Sequence, residues 1–447
     1  EILIISVLMS SARGYSGHTL SKRFEYIAPS WAKNAFTHLP SQQIHLGNFP
    51  TPLYKLMPIP KQSSSSENNL QTRSVMKRIS DLDIGLYVKR DDMTGGVETG
   101  GNKIRKLEFL LADALSKEKQ SVITIGGEQS NHCRATAAAC RMLGLVPHLI
   151  LRTKRADLIQ AEKEDIGTVG NILFDRMVGS TIYCCTPGEY GRIGSKQLVA
   201  RLSKYLEEND PEHKVPYQIP VGGSNGLGTF GYINAVDEIL TQWNEIESKP
   251  SLDHVVFACG SGGTACGISL GMALAHGALR QEEVLSISKP TVHAIGVCDS
   301  PDYFYSFVAK IADEMGLKLP DTVSTESFIR QHMVAHSGKG LGYAKSTQDE
   351  LNFISDFALE TGIVLDPVYS GKALYHFFNE VLAGDPDKFR GKNILFVHTG
   401  GALGLFEKEQ DLLTTLTHIA PAKRLDIYGK KLSHGIDISI NIAAPNE

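Results

Sequence analysis

Along this chain one pattern recurs: a short apolar or β-branched run, a glycine-dense turn, then apolar residues at helical spacing. In its first instance a strand over Ile84–Val88 leads to Gly100 and Gly101, after which Ile104, Leu107, Leu111 and Ala114 mark one buried helix face. Asn102 stands where an N-cap belongs, which puts Lys103 in the first helical turn. The second instance runs from a strand over Val122–Ile125 through Gly126 and Gly127 to a helix of small residues stopped by Gly144. Ser130 and Asn131 sit at that handover. In the third, the strand His254–Cys259 passes into Gly260, Ser261, Gly262, Gly263 and Thr264, and a helix follows. Towards the C-terminus Ser370 and Thr399 each lie just past a strand and before a glycine-led helix start.

Between these, the periodicity predicts strands over His148–Leu151, Thr181–Cys184 and Val292–Val297, and helices over Ile172–Val178 and Ser195–Glu208. Alternation of this kind predicts an α/β protein with mostly parallel sheets flanked by helices, whose ligands bind beyond the carboxyl ends of the strands. Pro220–Gly231 (PVGGSNGLGTFG) reads as a crossover or as one wall of a ligand site, Phe49–Pro60 as an extended entry segment, and Gln62–Asn69 as a polar surface loop. Residues 1–40 and 431–447 read as tails.

Composition narrows the function classes. A chain of 447 residues with net charge −4 has room for more than one core and no general pull towards nucleic acid or anionic membrane. Seven cysteines, several of them in apolar stretches, fit reduced buried thiols better than a disulfide framework, and none has paired zinc spacing, so no metal is expected. The opening EILIISVL is too short to span a bilayer. From Met9 the chain is rich in serine and basic residues without an acid, the composition of a mitochondrial or plastid transit peptide; the alternative is an untargeted, cytoplasmic chain.

Lysine is unusual at a helix N-terminus, because that end carries the positive half of the macrodipole. The dipole is worth only about 0.3–1 kcal/mol, under one pKa unit, so it cannot by itself make the Lys103 amine reactive. Schiff-base chemistry with a carbonyl would use such a lysine; otherwise Lys103 is one of three solvated cations with Arg105 and Lys106. Gly260 to Thr264 form a nest of backbone N–H groups at a helix start, suited to a phosphate, and no GxxxxGK[ST] lysine accompanies them.

Taken together and in order, GGNKIRKLEFL, GGEQSNHCRA, CGSGGTACG, LDPVYSGKA and HTGGALGL resemble the pyridoxal-phosphate enzymes of the tryptophan-synthase β-like fold (fold type II). Within it, the chain looks most like the branch containing D-cysteine desulfhydrase and 1-aminocyclopropane-1-carboxylate (ACC) deaminase, over about residues 45–425. The resemblance implies that Lys103 carries the cofactor's aldehyde and that Gly260, Ser261, Gly262, Gly263 and Thr264 hold its phosphate. Asn131 would meet the ring hydroxyl, with Ser370 and Thr399 near the ring nitrogen. Gln129, Ser130, Asn131 and His132 would surround the substrate, faced by Tyr343 and Tyr369, Lys103 taking the α-proton and a tyrosine protonating the departing sulfur. It further implies a homodimer and two lobes, 108–218 inserted into one formed by 41–107 and 219–430.

ACC deaminases of this branch have a Glu at the position of Ser370 and a Leu at that of Thr399. Neutral hydroxyls leave the ring a weaker electron sink, which still serves when the leaving group is a thiolate. D-cysteine elimination to pyruvate, ammonia and hydrogen sulfide is therefore the expected activity, with ACC deamination as the alternative. Gly260, Gly262 and Ala265 also satisfy a relaxed GxGxxA dinucleotide pattern, which leaves a nicotinamide dehydrogenase open, as is a non-catalytic vitamin B6 carrier. Relatives commonly have an aliphatic residue where this chain has Glu128; facing the cofactor it would matter, facing water it would not.

Overall fold

The computed structural model describes residues 20–57, 74–209, 215–279 and 289–422. The Gln62–Asn69 loop and the 431–447 tail lie outside these residues, as do residues 1–19 of the N-terminal tail, which hold most of the transit-like segment.

Two sheets carry the fold. The larger runs, edge to edge, Val334–Ser337, Thr291–Gly296, His254–Cys259, Asn393–His398, Gly85–Arg90, Leu53–Lys55, every pair parallel except the last. The smaller is all parallel: Thr181–Cys185, Val146–Arg152, Ser121–Gly127, Tyr217–Gln218. His254–Cys259 is buried at every position, as a parallel strand covered on both faces should be. The expected α/β architecture is the one observed. The predicted strands and helices of the smaller sheet all form, within two residues of their expected ends.

Two expectations are corrected and a third is extended. The tail assigned to 1–40 is structured from Phe24: Tyr26, Ala32, Ala35 and Phe36 enter the main core, where Tyr26 and Phe36 pack edge-on against Phe230. Pro220–Gly231 does form part of a cavity wall, through Pro220, Val221, Gly222, Ser224 and Asn225, and from Gly226 it also opens a 19-residue helix, Gly226–Asn244, capped by Asn225. Its glycines serve close packing: a Cβ on Gly231 would lie 2.1 Å from the Arg105 carbonyl oxygen, and one on Gly267 of the helix Gly263–Ala275 would lie 2.3 Å from Tyr232 Cβ. Thus three helices approach backbone to backbone, fixing the start of the helix Lys103–Ser116 relative to the Gly260 turn. Finally, Arg105 and Lys106 are not solvated; both are buried. Arg105 joins Asp91 and Glu238, which also pairs with Lys89, so two cations and two carboxylates neutralise each other inside the protein.

Asp175, in the helix Asn171–Met177, is fully buried, and neither carboxylate oxygen has a hydrogen-bond partner among the described residues. Burial raises its pKa from 3.8 to about 7 against the pull of Arg134. Because the folded value is the higher, the folded state holds the proton longer, and Asp175 costs stability increasingly as pH rises from about 4 to 7 and fully above that. Three units correspond to about 4 kcal/mol at most. Asp175→Asn is expected to be near neutral at pH 4 and to raise the urea midpoint at pH 8; an equal change at both pH values would contradict this.

Candidate active site

Lys103 begins its helix as expected, but Asn102 does not cap it with its side chain. Asn102 has helical φ/ψ, and its amide donates instead to Thr264 Oγ1 at 3.3 Å while its backbone N–H donates to Thr399 O at 3.1 Å. These two bonds tie the lysine turn to the phosphate-type turn on one side and to the end of Asn393–His398 on the other. Gly101 adopts φ +104°, and a Cβ on Gly400 would meet Gly101 Cα at 3.2 Å, so the two turns touch through bare backbone.

A cavity of about 630 Å³ opens where the strand ends of both sheets meet, and Lys103, Ser130, Asn131, His132, Tyr343 and Thr399 line it. Burial lowers the Lys103 amine from 10.5 to about 8. This is the effect the helix dipole was too weak to supply. One turn on, buried Lys106 is held well below its ordinary value, by burial first and then by the Lys103 charge.

Gly260, Ser261, Gly262 and Thr264 line the same cavity as the lysine. Gly262 has φ +76°, and a Cβ there would strike Phe307 at 2.8 Å. Gly263 is turned inward: its N–H donates to Ser224 Oγ at 3.2 Å, which also receives Lys106 Nζ at 3.0 Å and bonds Ser261 Oγ at 2.8 Å. Ser224 thereby braces the loop from behind.

The QSNH segment divides. Ser130 lines the cavity while its hydroxyl caps its own helix through Cys133 N at 3.1 Å. Gln129 is not on the cavity wall; its side chain bonds Val169 O at 2.9 Å and Asn171 N at 2.8 Å. Glu128 points elsewhere again, pairing with Arg155 at 2.7 Å, so it has a partner for its charge outside the cavity. Thr399 faces the cavity, and Ser370 sits behind it, fully buried, with the two hydroxyl oxygens 3.0 Å apart. Asp366 is near, yet its carboxylate is spent on the N–H groups of Val368, Tyr369 and Ser370.

Tyr343 and Tyr369 share a 2.7 Å hydrogen bond. Burial pushes Tyr343 up to about 12 and Tyr369 well above its ordinary value, so both are donors at neutral pH. Arg152, not singled out from sequence, also lines the cavity, its guanidinium 5.3 Å from the Tyr343 ring centre and 4.8 Å from that of Tyr190. Its signal was positional: Arg152 is the strand partner of Gly127, at the same carboxyl end.

A family model described as pyridoxal-phosphate dependent enzyme matches residues 71–400. The chain is 44% identical over 393 residues, 88% of its length and 86% of the relative's, to a protein of Arabidopsis thaliana called bifunctional D-cysteine desulfhydrase/1-aminocyclopropane-1-carboxylate deaminase, mitochondrial. It is 33% identical to a D-cysteine desulfhydrase of Serratia proteamaculans, over 74% of this chain and 91% of that one. Among solved structures, an ACC deaminase homologue superposes with a TM-score of 0.62 at 31% identity, covering 84% of this chain and 96% of the other. A lysine of lowered pKa shares one cavity with a glycine-rich turn at a helix start, and the chain belongs to the pyridoxal-phosphate-dependent enzymes, in the branch of D-cysteine desulfhydrases and ACC deaminases.

Proposed function

We propose that the protein converts D-cysteine and water to pyruvate, ammonia and hydrogen sulfide. The residues present fit pyridoxal phosphate. Glycine turns leave bare backbone where side chains would obstruct, since a Cβ on Gly260 would lie 3.0 Å from Tyr369 Cε1. With the Gly263 N–H spent on Ser224, the backbone of Gly260, Ser261, Gly262, Thr264 and Ala265 around the start of the helix Gly263–Ala275 would hold a phosphate dianion, and Lys103 Nζ suits the aldehyde. When bound, the cofactor draws into its ring the electron pair left by the Cα–H bond.

The chain's own groups do the remaining work. Lys103, with its amine lowered to about 8, takes the α-proton as a base near working pH. Ser130 and Asn131 orient the substrate, and Asn131 offers a hydrogen bond to the ring oxygen. The Tyr343–Tyr369 pair donates a proton to the leaving sulfur.

The observation that carries the choice of substrate is the Thr399 hydroxyl on the cavity wall, backed by buried Ser370 with the two oxygens 3.0 Å apart, where a carboxylate would be needed to hold a ring nitrogen protonated. Hydroxyls cannot hold a ring nitrogen protonated as a carboxylate would, and Asp366 is occupied by backbone donors. That weaker sink suits expulsion of a thiolate better than opening of a cyclopropane. ACC deamination stands second, because the plant relative's name carries both activities. Purified protein offered each substrate is expected to release sulfide and pyruvate from D-cysteine at a higher kcat/KM than it forms 2-oxobutanoate from ACC; the reverse order would overturn the choice. The same reading holds a homodimer, the 108–218 lobe inserted in the larger one, and a mitochondrial location, the last supported by the plant relative's name.

A further inference from the structure

Asn171, at the start of the helix Asn171–Met177, is fully buried and bonded on both sides of its amide. Arg134 Nε donates to its Oδ1 at 3.1 Å, and its Nδ2 donates to Asn131 Oδ1 and to Gln129 O, each at 3.1 Å. Carboxamide oxygen and nitrogen are nearly indistinguishable by shape, so orientation must come from partners. Here one partner leaves no choice. A guanidinium only donates, so the Asn171 atom facing Arg134 must be its oxygen, and its NH₂ must then face Asn131. Asn131 must answer with its own oxygen. Its Nδ2 is then the end without a partner among the described residues, on a residue that lines the cavity. It lies against Gly401, where a Cβ would come within 2.7 Å of that nitrogen, so only a glycine leaves it room.

Arg134 is itself fixed. Buried at 2% exposure, it donates through its remaining nitrogens to Glu98 O and, at 2.9 Å, to Gly100 O, the segment that leads into Lys103. One side chain thus binds both the lysine turn and the amide chain.

We propose that Asn171 is a positioning residue that, set by Arg134, locks the Asn131 amide with N–H towards the cofactor's ring oxygen. The inference rests on the reading that Asn131 meets that oxygen. A donor there favours the ionised oxygen, so the relay governs the protonation of the lysine-bound cofactor. Asn171→Asp keeps an acceptor for Arg134 but presents a second acceptor to Asn131, which then turns its carbonyl inward. Asn171→Ala merely frees Asn131.

The test is a pH titration of the visible absorbance of cofactor-loaded protein, with circular dichroism as the check on folding. Asn171→Asp is expected to shift the midpoint by about one pH unit or more, the scale of one charge-assisted hydrogen bond, with a smaller shift in Asn171→Ala. Asn131→Ala should shift it in the same direction. If Asn131→Ala moves the midpoint and both Asn171 variants leave it in place, the relay is wrong while the cofactor reading stands. If Asn131→Ala also leaves it in place, the assignment of Asn131 falls, and the relay with it. Should Asn171→Asp fail to fold, Asn171→Ala and Asn171→Ser decide by the same midpoint.

Discussion

Replacing Lys103 with alanine is expected to remove the visible absorbance of bound cofactor and to lower sulfide release from D-cysteine by at least about 10³-fold. A positioned general base contributes about 10²–10⁴-fold, and this residue would lose the cofactor anchor as well. Folding should survive, because the substitution trades a cavity-lining amine held at about 8 for a strong helix former. Stripped wild-type protein offers a second readout. Only the neutral amine attacks an aldehyde, so the rate of cofactor uptake should rise about tenfold per pH unit below about 8 and level off above. A rate that falls across that range, or a Lys103→Ala variant with full turnover, would remove the lysine from its role.

Tyr343→Phe is expected to lower kcat on D-cysteine about 100-fold, within the range for a lost general acid. Tyr343 and Tyr369 share one hydrogen bond, and the Arg152 guanidinium, 5.3 Å from the Tyr343 ring centre, favours release of a proton from the Tyr343 hydroxyl. The leaving group discriminates acid catalysis from a packing defect. β-Chloro-D-alanine expels chloride, which needs no proton, so the same variant should lose under about 10-fold on that substrate if the tyrosine acts as an acid. Equal losses on both substrates would assign Tyr343 a packing role.

How much of this was legible in the sequence depended on where each signal resided. Lys103 was visible because a lysine at a helix start violates a local rule, and the strand His254–Cys259 with its glycine turn because the apolar run and the break adjoin. The helix Gly226–Asn244 was hidden by its own packing: Gly226, Gly228 and Gly231 look like a loop, yet they clear space for neighbouring backbone. Residues 24–36 looked like a tail because short aromatic segments that fill the main core have no periodicity to show. Arg105 and Lys106 looked solvated because Glu238 and Ser224 lie more than 100 positions away, and Asp91, the other partner of Arg105, lies 14 positions back across the glycine turn. Gln129 and Ser370 fell in the motifs, but a motif does not say which way a side chain turns, and both turn from the cavity. Asn171 had no local signal, since its bonds reach about 40 residues back.

Everything in the functional reading depends on which amine holds the carbonyl. Protein loaded with pyridoxal phosphate, reduced with borohydride and digested, should carry the phosphopyridoxyl mass on the peptide containing Lys103 and on Lys103 itself when fragmented. The tag on Lys106, one turn along the same helix and likewise depressed by burial, or spread over surface lysines, would contradict it.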